Sequence, residues 1–550
     1  MSKIMSRLQV SSDSSTYQNA DILPLPPARR TWSKRIFVFF WMATSINIAE
    51  WGAGSSSLAL GLSVGQALAV HAVTTVLVTL LLVASGHGGG KWHIPFAVIN
   101  RSSWGMHVFS FLSSMSNAYL LLSDEELACL LSLASYFRAA GMAYRAASFY
   151  NMRNTFPPNI GMKTHEFVAY IIFWVLCCPI LLLKPEKYRI PAMVSSIIVT
   201  VAAISIFIWA LAKQGGPGPL YNNPEAVYGV GHLQGSALAW TVVRLIVSHI
   251  GAWSGGILYQ SDFSRYAVRP GDQMWGQLFA IPLCLFGSNV LGIFATSCAK
   301  GFFPDEKPLW KLYDLLEAIQ RHGGPGARAA VFFAAFAFFL SQLCVNVVAC
   351  GVVGGMDLAA LFPRFINIRR GSVLVAIIGI CINPWRILNT ANSFISAISA
   401  FGVFLGPMSG IMLADYHLLR GRQLKLSHLF LPAKASDYWF WHGLNWRAPV
   451  AWVLGVFPSM PGFCADVTPE TVVVSESWIR VYYLSWILGC AISGSVHLLL
   501  SKLWPPPGVG EADVVDVYET YEAGGKEGGK DLDEEEVAGS PDEKDSKMLQ

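Results

Sequence analysis

Charge is scarce in this sequence. Acidic and basic side chains together make up 13% of 550 residues, against about 25% in an average soluble domain. Too few charges exist to cover a water-facing surface, which excludes an ordinary soluble protein. A net charge of +4 without long basic runs also gives no footing for nucleic acid. The ten cysteines form no disulfide framework. Cys177, Cys178, Cys344 and Cys350 lie inside apolar stretches, Cys464 stands alone in an expected loop, and they read as small apolar residues. No P-loop, H-E-x-x-H or C-x-x-C motif is present, so no enzyme chemistry and no cofactor is expected. His87 and His93 in "GHGGGKWH" are six apart with no further ligand nearby, and read as part of a cytoplasmic turn rather than a metal site. Residues 1–35 are polar and Pro-rich, unlike a secretory signal.

Apolar residues are abundant: 53% of the chain, with 19 Trp, 32 Phe and 18 Tyr. Such a composition fits a membrane-embedded body with aromatic belts. A span needs about 20 apolar residues. Candidate runs are 36–62, 66–85, 106–122, 127–148, 164–183, 190–212, 237–260, 273–298, 328–353, 371–388, 391–415, 447–462 and 477–503. The pair 106–122 and 127–148 is Ser-rich and interrupted by Asp124, Glu125 and Glu126; counted as one crossing, it leaves twelve. Basic residues such as Arg29, Arg30, Lys187, Arg265, Arg369 and Arg420 then fall on one side, which places both termini in the cytoplasm. The loop 299–327, with mixed charge, fits that bias only in part. The tails 1–35 and 504–550 are expected to be solvated, the second acidic and open to modification by trafficking or ubiquitin machinery at Lys526, Lys530, Lys544 or Lys547.

The informative features are interruptions inside apolar spans. A broken membrane helix frees backbone groups that lipid cannot satisfy, so breaks persist where they line a buried site. The first span carries "TSINIAEWGAGSSS", with Asn47, Glu50, Gly52 and Gly54 at its centre. The sixth carries "SHIGAWSGGILYQ", with Gly251, Trp253, Gly255 and Gly256. Glycines alone also serve close helix packing. Two such runs five spans apart favour a transporter with paired breaks around a midplane site. Glu50 is the single acid of its span; burial of a carboxylate favours its protonated form, which makes it a candidate proton carrier. Gln342 and Asn346 lie one turn apart, with Cys350 continuing the face. Two amides there can bond a planar amide-bearing solute or glue helices together. Trp253 offers a flat surface for a ring. Asp262 and Arg265, three apart at a helix end, are expected to pair at the cytoplasmic surface.

The segments "NADILPLPPARRTW", "GKWHIPFAVINRSSWG", "GAWSGGILYQSDFSRYAVRPGDQMWGQLF", "LSQLCVNVV", "GGMDLAALFPRFINIRRG", "NPWRILNTANSFISAISAFGVFLGPMSGIMLADYHLLR" and "DYWFWHGLNWRAPVAWVLG" resemble the nucleobase–cation symporter family, in its fungal uracil and allantoin permease branch. The resemblance covers roughly residues 19–105 and 150–503. It implies an all-α polytopic fold, a five-helix inverted repeat of the LeuT type with broken helices 1 and 6 plus two extra helices. It also implies plasma-membrane import of a planar nitrogenous ring by alternating access. By position, Trp253 resembles the platform under the ring and Asn346 the first of two substrate amides. Cys350 departs from the second, where Asn is usual. Sodium-coupled relatives have hydroxyls where this chain has Cys344 and Val345; with only Ser341 nearby, the resemblance implies proton coupling. Substrate-binding candidates are thus Trp253, Asn346, Gln342, Cys350, Glu50, Asn47 and Gly255, and ion-coupling candidates Glu50 and Ser341. The family's third span carries a Trp and a Gln, and residues 106–149 have neither. That stretch reads as an altered frame or splice boundary, and leaves a non-transporting sensor or a defective carrier as the alternative.

Overall fold

A computed structural model describes residues 10, 15, 17–106, 153–157, 164–183, 185–222, 233–306, 308–381, 391–431 and 435–520. The atypical third-span region, from residue 107, therefore lies outside the described residues, as does the acidic stretch 521–550. Helix α1 (Lys34–Ser45) and helix α2 (Ile48–Ala59) form the first span and meet at a 50° bend. Helix α3 is Val64–Trp92, α4 Thr164–Leu181 and α5 Arg189–Gln214. The sixth span is broken twice, into α6 (Gly235–Ala252), α7 (Ser254–Leu258) and α8 (Gln260–Ser264). Helix α9 (Asp272–Phe302) follows, then the amphipathic α10 (Leu312–His322), and α11 (Pro325–Val345), which continues through a widened π turn over Asn346–Val352 into α12 (Val353–Leu361). Helices α13 (Ile368–Cys381), α14 (Ala391–Leu413), α15 (Arg447–Val456), α16 (Met460–Val467), α17 (Glu476–Tyr483) and α18 (Ser485–Leu503) complete the bundle. Among the described residues, seven helices are long and apolar enough to cross a bilayer, or eight with the bent pair taken as one span. Large apolar side chains such as Val201, Phe279, Leu283 and Phe333 point outward, as a lipid-facing surface requires.

The first break falls at Ile46–Asn47, ahead of the glycines. Asn47 is extended (φ −141°, ψ 177°), and its side-chain oxygen accepts from the Glu50 N–H, so it is the N-cap of α2. Gly52 and Gly54 lie inside an unbroken α2. Their role there is proximity: a Cβ on Gly54 would stand 2.5 Å from the Asn289 carbonyl oxygen of α9. On α9, a Cβ on Gly292 would run into the Trp51 carbonyl of α2. The two backbones thus meet along a glycine seam.

Three expectations change at the end of the bundle that carries residues 17–33. The "GHGGGKW" segment is the last part of α3 and no turn; the helix stops at His93, a left-handed cap with φ 54°. Helix α3 accepts these glycines because α8 lies against them, the Ser261 backbone being where a Cβ of Gly89 would go. Asp262 and Arg265 are both fully buried and do not form a surface pair. Asp262 Oδ1 accepts from the Phe96 N–H at 2.8 Å, and Arg265 donates to the carbonyls of Asp21 and Leu23 at 3.0 and 2.8 Å. Nor are both tails solvated throughout. Residues 17–33 bury Asn19, Ile22, Leu25 and Trp32, and residues 504–520 pack through Asp513 on Ser427 and Glu519 on Arg30. Residues 17–33 join the apolar core through Ile22, Leu25 and Trp32, and both stretches also satisfy buried arginines, Arg265 by the carbonyls of Asp21 and Leu23 and Arg447 by that of Trp504.

Candidate substrate and coupling site

Both breaks converge on Glu50. The carboxylate sits in the first turn of α2, 3% exposed, directly after the Asn47 cap. Its Oε1 accepts from the Trp253 indole N–H at 2.9 Å, and its Oε2 lies 2.9 Å from His249 Nε2. Trp253 is the residue between α6 and α7, and His249 lies one turn before it. One acid therefore ties the broken first span to the broken sixth. Beyond His249 the contact continues: His249 Nδ1 lies 3.1 Å from His71 Nδ1 on α3, and His71 Nε2 lies 2.9 Å from Ser57 Oγ on α2. Sequence reading passed over both histidines. His249 stood in the quoted sixth-span motif, and its polar ring in an apolar run was the available signal; His71 had the same signal. No group of three or more metal-ligating side chains exists among the described residues.

The Trp253 ring forms one wall of a small cavity, opposite Trp41 of α1, with the ring centroids 6.2 Å apart. Phe40, Thr44, Ala252, Gly256, Tyr259 and Phe263 complete it. The enclosed space is about 20 Å³, whereas pockets that hold small molecules run from roughly 300 Å³ upward. A planar ring enters only when an indole swings aside or the half-helices part. A larger cavity of about 560 Å³ lies between α5 and α11, but its wall is almost wholly apolar and faces outward, with Ser205 its one hydroxyl. Such a wall cannot orient an amide-bearing solute.

The other sequence candidates occupy different places. Asn47 is spent on the helix cap, and its amide donates to the Thr44 carbonyl at 2.6 Å. Gly255 lies buried in the single turn of α7, where it accepts the Tyr259 N–H at 2.9 Å. Ser341 Oγ donates to the Ile46 carbonyl at 3.2 Å, one of the groups freed by the first break. Gln342 is buried on α11, while Asn346 is half-buried at the start of the π turn. Asn346 opens the π turn and Cys350 falls within it, and the Cys350 side chain lies outside the described residues. Neither Gln342 nor Asn346 lines the Trp41–Trp253 cavity.

Broken first and sixth helices joined at a buried acid define a multi-pass membrane transporter of the inverted-repeat class. The fold agrees with that of Mhp1, a nucleobase-cation-symport-1 family transporter solved in a closed conformation with bromovinylhydantoin bound. Its TM-score is 0.66 at 17% identity, covering 89% of this chain and 97% of that one. A manganese transporter from Eremococcus coleocola has a more distant likeness, with a TM-score of 0.51, 12% identity, and coverage of 90% and 98%. The family of permeases for cytosine/purines, uracil, thiamine and allantoin matches residues 24–489, and the chain belongs to it. The allantoin permease of Saccharomyces cerevisiae is 32% identical over 91% of this chain and 78% of its own length. The uracil permease of the same yeast is 31% identical over 91% and 78%. A thiamine transporter of that yeast is 28% identical over 89% and 80%. The relatives are permeases and transporters, so the chain is not an enzyme.

Proposed function

We infer that this permease imports a small planar ring of the nucleobase or allantoin type by alternating access, coupled to protons. The arrangement of Glu50 and Trp253 carries the reading. The indole that forms the wall of the cavity is hydrogen-bonded to the buried acid, so a solute that moves the ring also moves the acid's partner. Ser341 supports protons over sodium, since its hydroxyl bonds the Ile46 carbonyl directly and supplies one hard oxygen at most. Asn346 and Gln342 are the amides that would bond the ring edge once the half-helices part. The plasma membrane, with both termini in the cytoplasm, fits the basic residues of the inside loops. Lipid surrounds the outward apolar faces, and the lysines of the acidic tail are the places for trafficking machinery to act.

Uptake of labelled uracil and labelled allantoin in a host lacking its own permeases tests the reading. Saturable uptake that collapses with a protonophore is expected. A second reading, a substrate-binding sensor that does not transport, has one specific support: residues 106–149 contain neither Trp nor Gln. Ligand-induced thermal stabilisation with no uptake of either solute would favour it.

A further inference from the structure

We propose that the coupling proton resides on the His249–His71 imidazole pair, with Glu50 as its fixed counter-charge; the inference deepens the transport reading and rests on it. The groups form one continuous chain across three helices: Ser57, His71, His249, Glu50 and Trp253, with contacts of 2.9, 3.1, 2.9 and 2.9 Å. Ser57, His71, His249 and Glu50 are each no more than 3% exposed. Other ionisable groups on these helices and those packed on them engage elsewhere. Arg244 pairs with Asp466, Arg480 with Glu476, His497 with Asp415, Tyr482 with Asp466, Asp262 with the Phe96 N–H, His87 with the Tyr416 hydroxyl and Lys91 with the Arg422 carbonyl. Asp272 and Lys300 stand at the two ends of α9.

Counting hydrogens along this chain gives two complete arrangements. In the first, the Ser57 hydroxyl donates to His71 Nε2, His71 Nδ1–H donates to His249 Nδ1, and His249 Nε2–H and the Trp253 N–H donate to the carboxylate. The net charge is −1. Adding one proton at the Ser57 end reverses two bonds. His71 Nε2–H now donates to Ser57 Oγ, His249 Nδ1–H donates to His71 Nδ1, and the Ser57 hydroxyl turns to the Ala53 carbonyl, 3.4 Å away. His249 is then an imidazolium against Glu50, and the net charge is zero. Every heavy-atom contact survives in both states, so the chain accepts a proton without repacking. The added proton belongs on the ring rather than on the acid. The Trp253 N–H and the His249 Nε2–H both donate to the carboxylate, and hydrogen bonds to its charged form favour that form. Loading converts the Glu50–His249 contact between α2 and α6, behind the Trp253 wall of the cavity, from a hydrogen bond to an ion pair, which is the coupling.

Purified full-length protein in lipid nanodiscs, followed by pH-difference infrared spectroscopy, locates the proton. Acidification should raise imidazolium bands that vanish in His249→Gln, with no protonated-carboxyl band lost in Glu50→Gln. A carboxyl band that disappears in Glu50→Gln overturns the assignment. Ser57→Ala, which removes one oxygen, should shift the imidazolium midpoint; an unchanged midpoint overturns the chain. In proteoliposomes, His71→Gln should keep exchange of labelled uracil or allantoin but lose tenfold or more of the accumulation driven by a proton gradient. Unaltered accumulation refutes the role of His71. Wild-type vesicles that move neither solute refute the transport reading instead, and the infrared result still decides where the proton sits.

Discussion

Gly52 and Gly54 lie two residues apart on α2, yet alanine at each should act in opposite directions. At Gly52 a new Cβ meets the Trp310 ring edge at 3.8 Å, an ordinary contact. At Gly54 it would stand 2.5 Å from the Asn289 carbonyl oxygen and 2.7 Å from its Cα, both backbone atoms of α9. Ordinary contact begins near 3.4 Å, so α2 and α9 must separate by roughly 0.9 Å. Overpacking of this kind costs about 1–3 kcal/mol. Helix propensity returns at most about 1 kcal/mol for glycine to alanine, which leaves Gly54→Ala destabilised and Gly52→Ala neutral or slightly stabilised. Thermal unfolding of the purified protein in detergent reads the difference: the apparent midpoint falls for Gly54→Ala and holds for Gly52→Ala. Equal losses at both positions would refute the seam and restore the glycines as helix breakers.

Further expectations concern the site and the helix ends. Trp253→Phe keeps an aromatic wall but deletes the N–H to Glu50, a bond to a charged acceptor worth about 1.5–3 kcal/mol; uptake should fall tenfold or more while surface expression is retained. His93 is pushed down to about 4 from 6.5, chiefly by burial, with the Arg265 carbonyl bond partly opposing. Folding therefore keeps this ring neutral; its contribution is complete above pH 6.5 and is lost as pH falls toward 4. His93→Gln should flatten the stability curve in that window. Arg265→Lys cannot reproduce the two carbonyl contacts to Asp21 and Leu23, so limited proteolysis within residues 17–33 should quicken severalfold. Arginine at Lys526, Lys530, Lys544 and Lys547 should slow the removal of the protein from the cell surface, followed by imaging a tagged chain.

The sequence was most legible where local chemistry decides. Asn47 and Glu50 stand out as polar residues interrupting the first apolar run, and the structure puts the break there, with Asn47 as the helix cap. The glycines were misleading because the same residue permits both a break and a close approach, and only a neighbouring backbone distinguishes them. Asp262 and Arg265 show the same limit. Their spacing of three suggests a pair, but each is claimed by a backbone group from a distant segment, Phe96 in one case and Asp21 and Leu23 in the other.

Length, apolar content and scarcity of charge determined by themselves that the chain lies in a membrane, because a bilayer tolerates no other distribution of polar groups. The polar cluster around Asn47 likewise marked the first span as interrupted. What tertiary structure alone decided is the company Glu50 keeps. His249 and Trp253 stand 199 and 203 residues from Glu50 in the chain, and His71 reaches His249 across 178 residues. No periodicity encodes such separations. They follow from two broken helices and α3 packing together, where a buried carboxylate is stable only against donors brought from elsewhere in the fold.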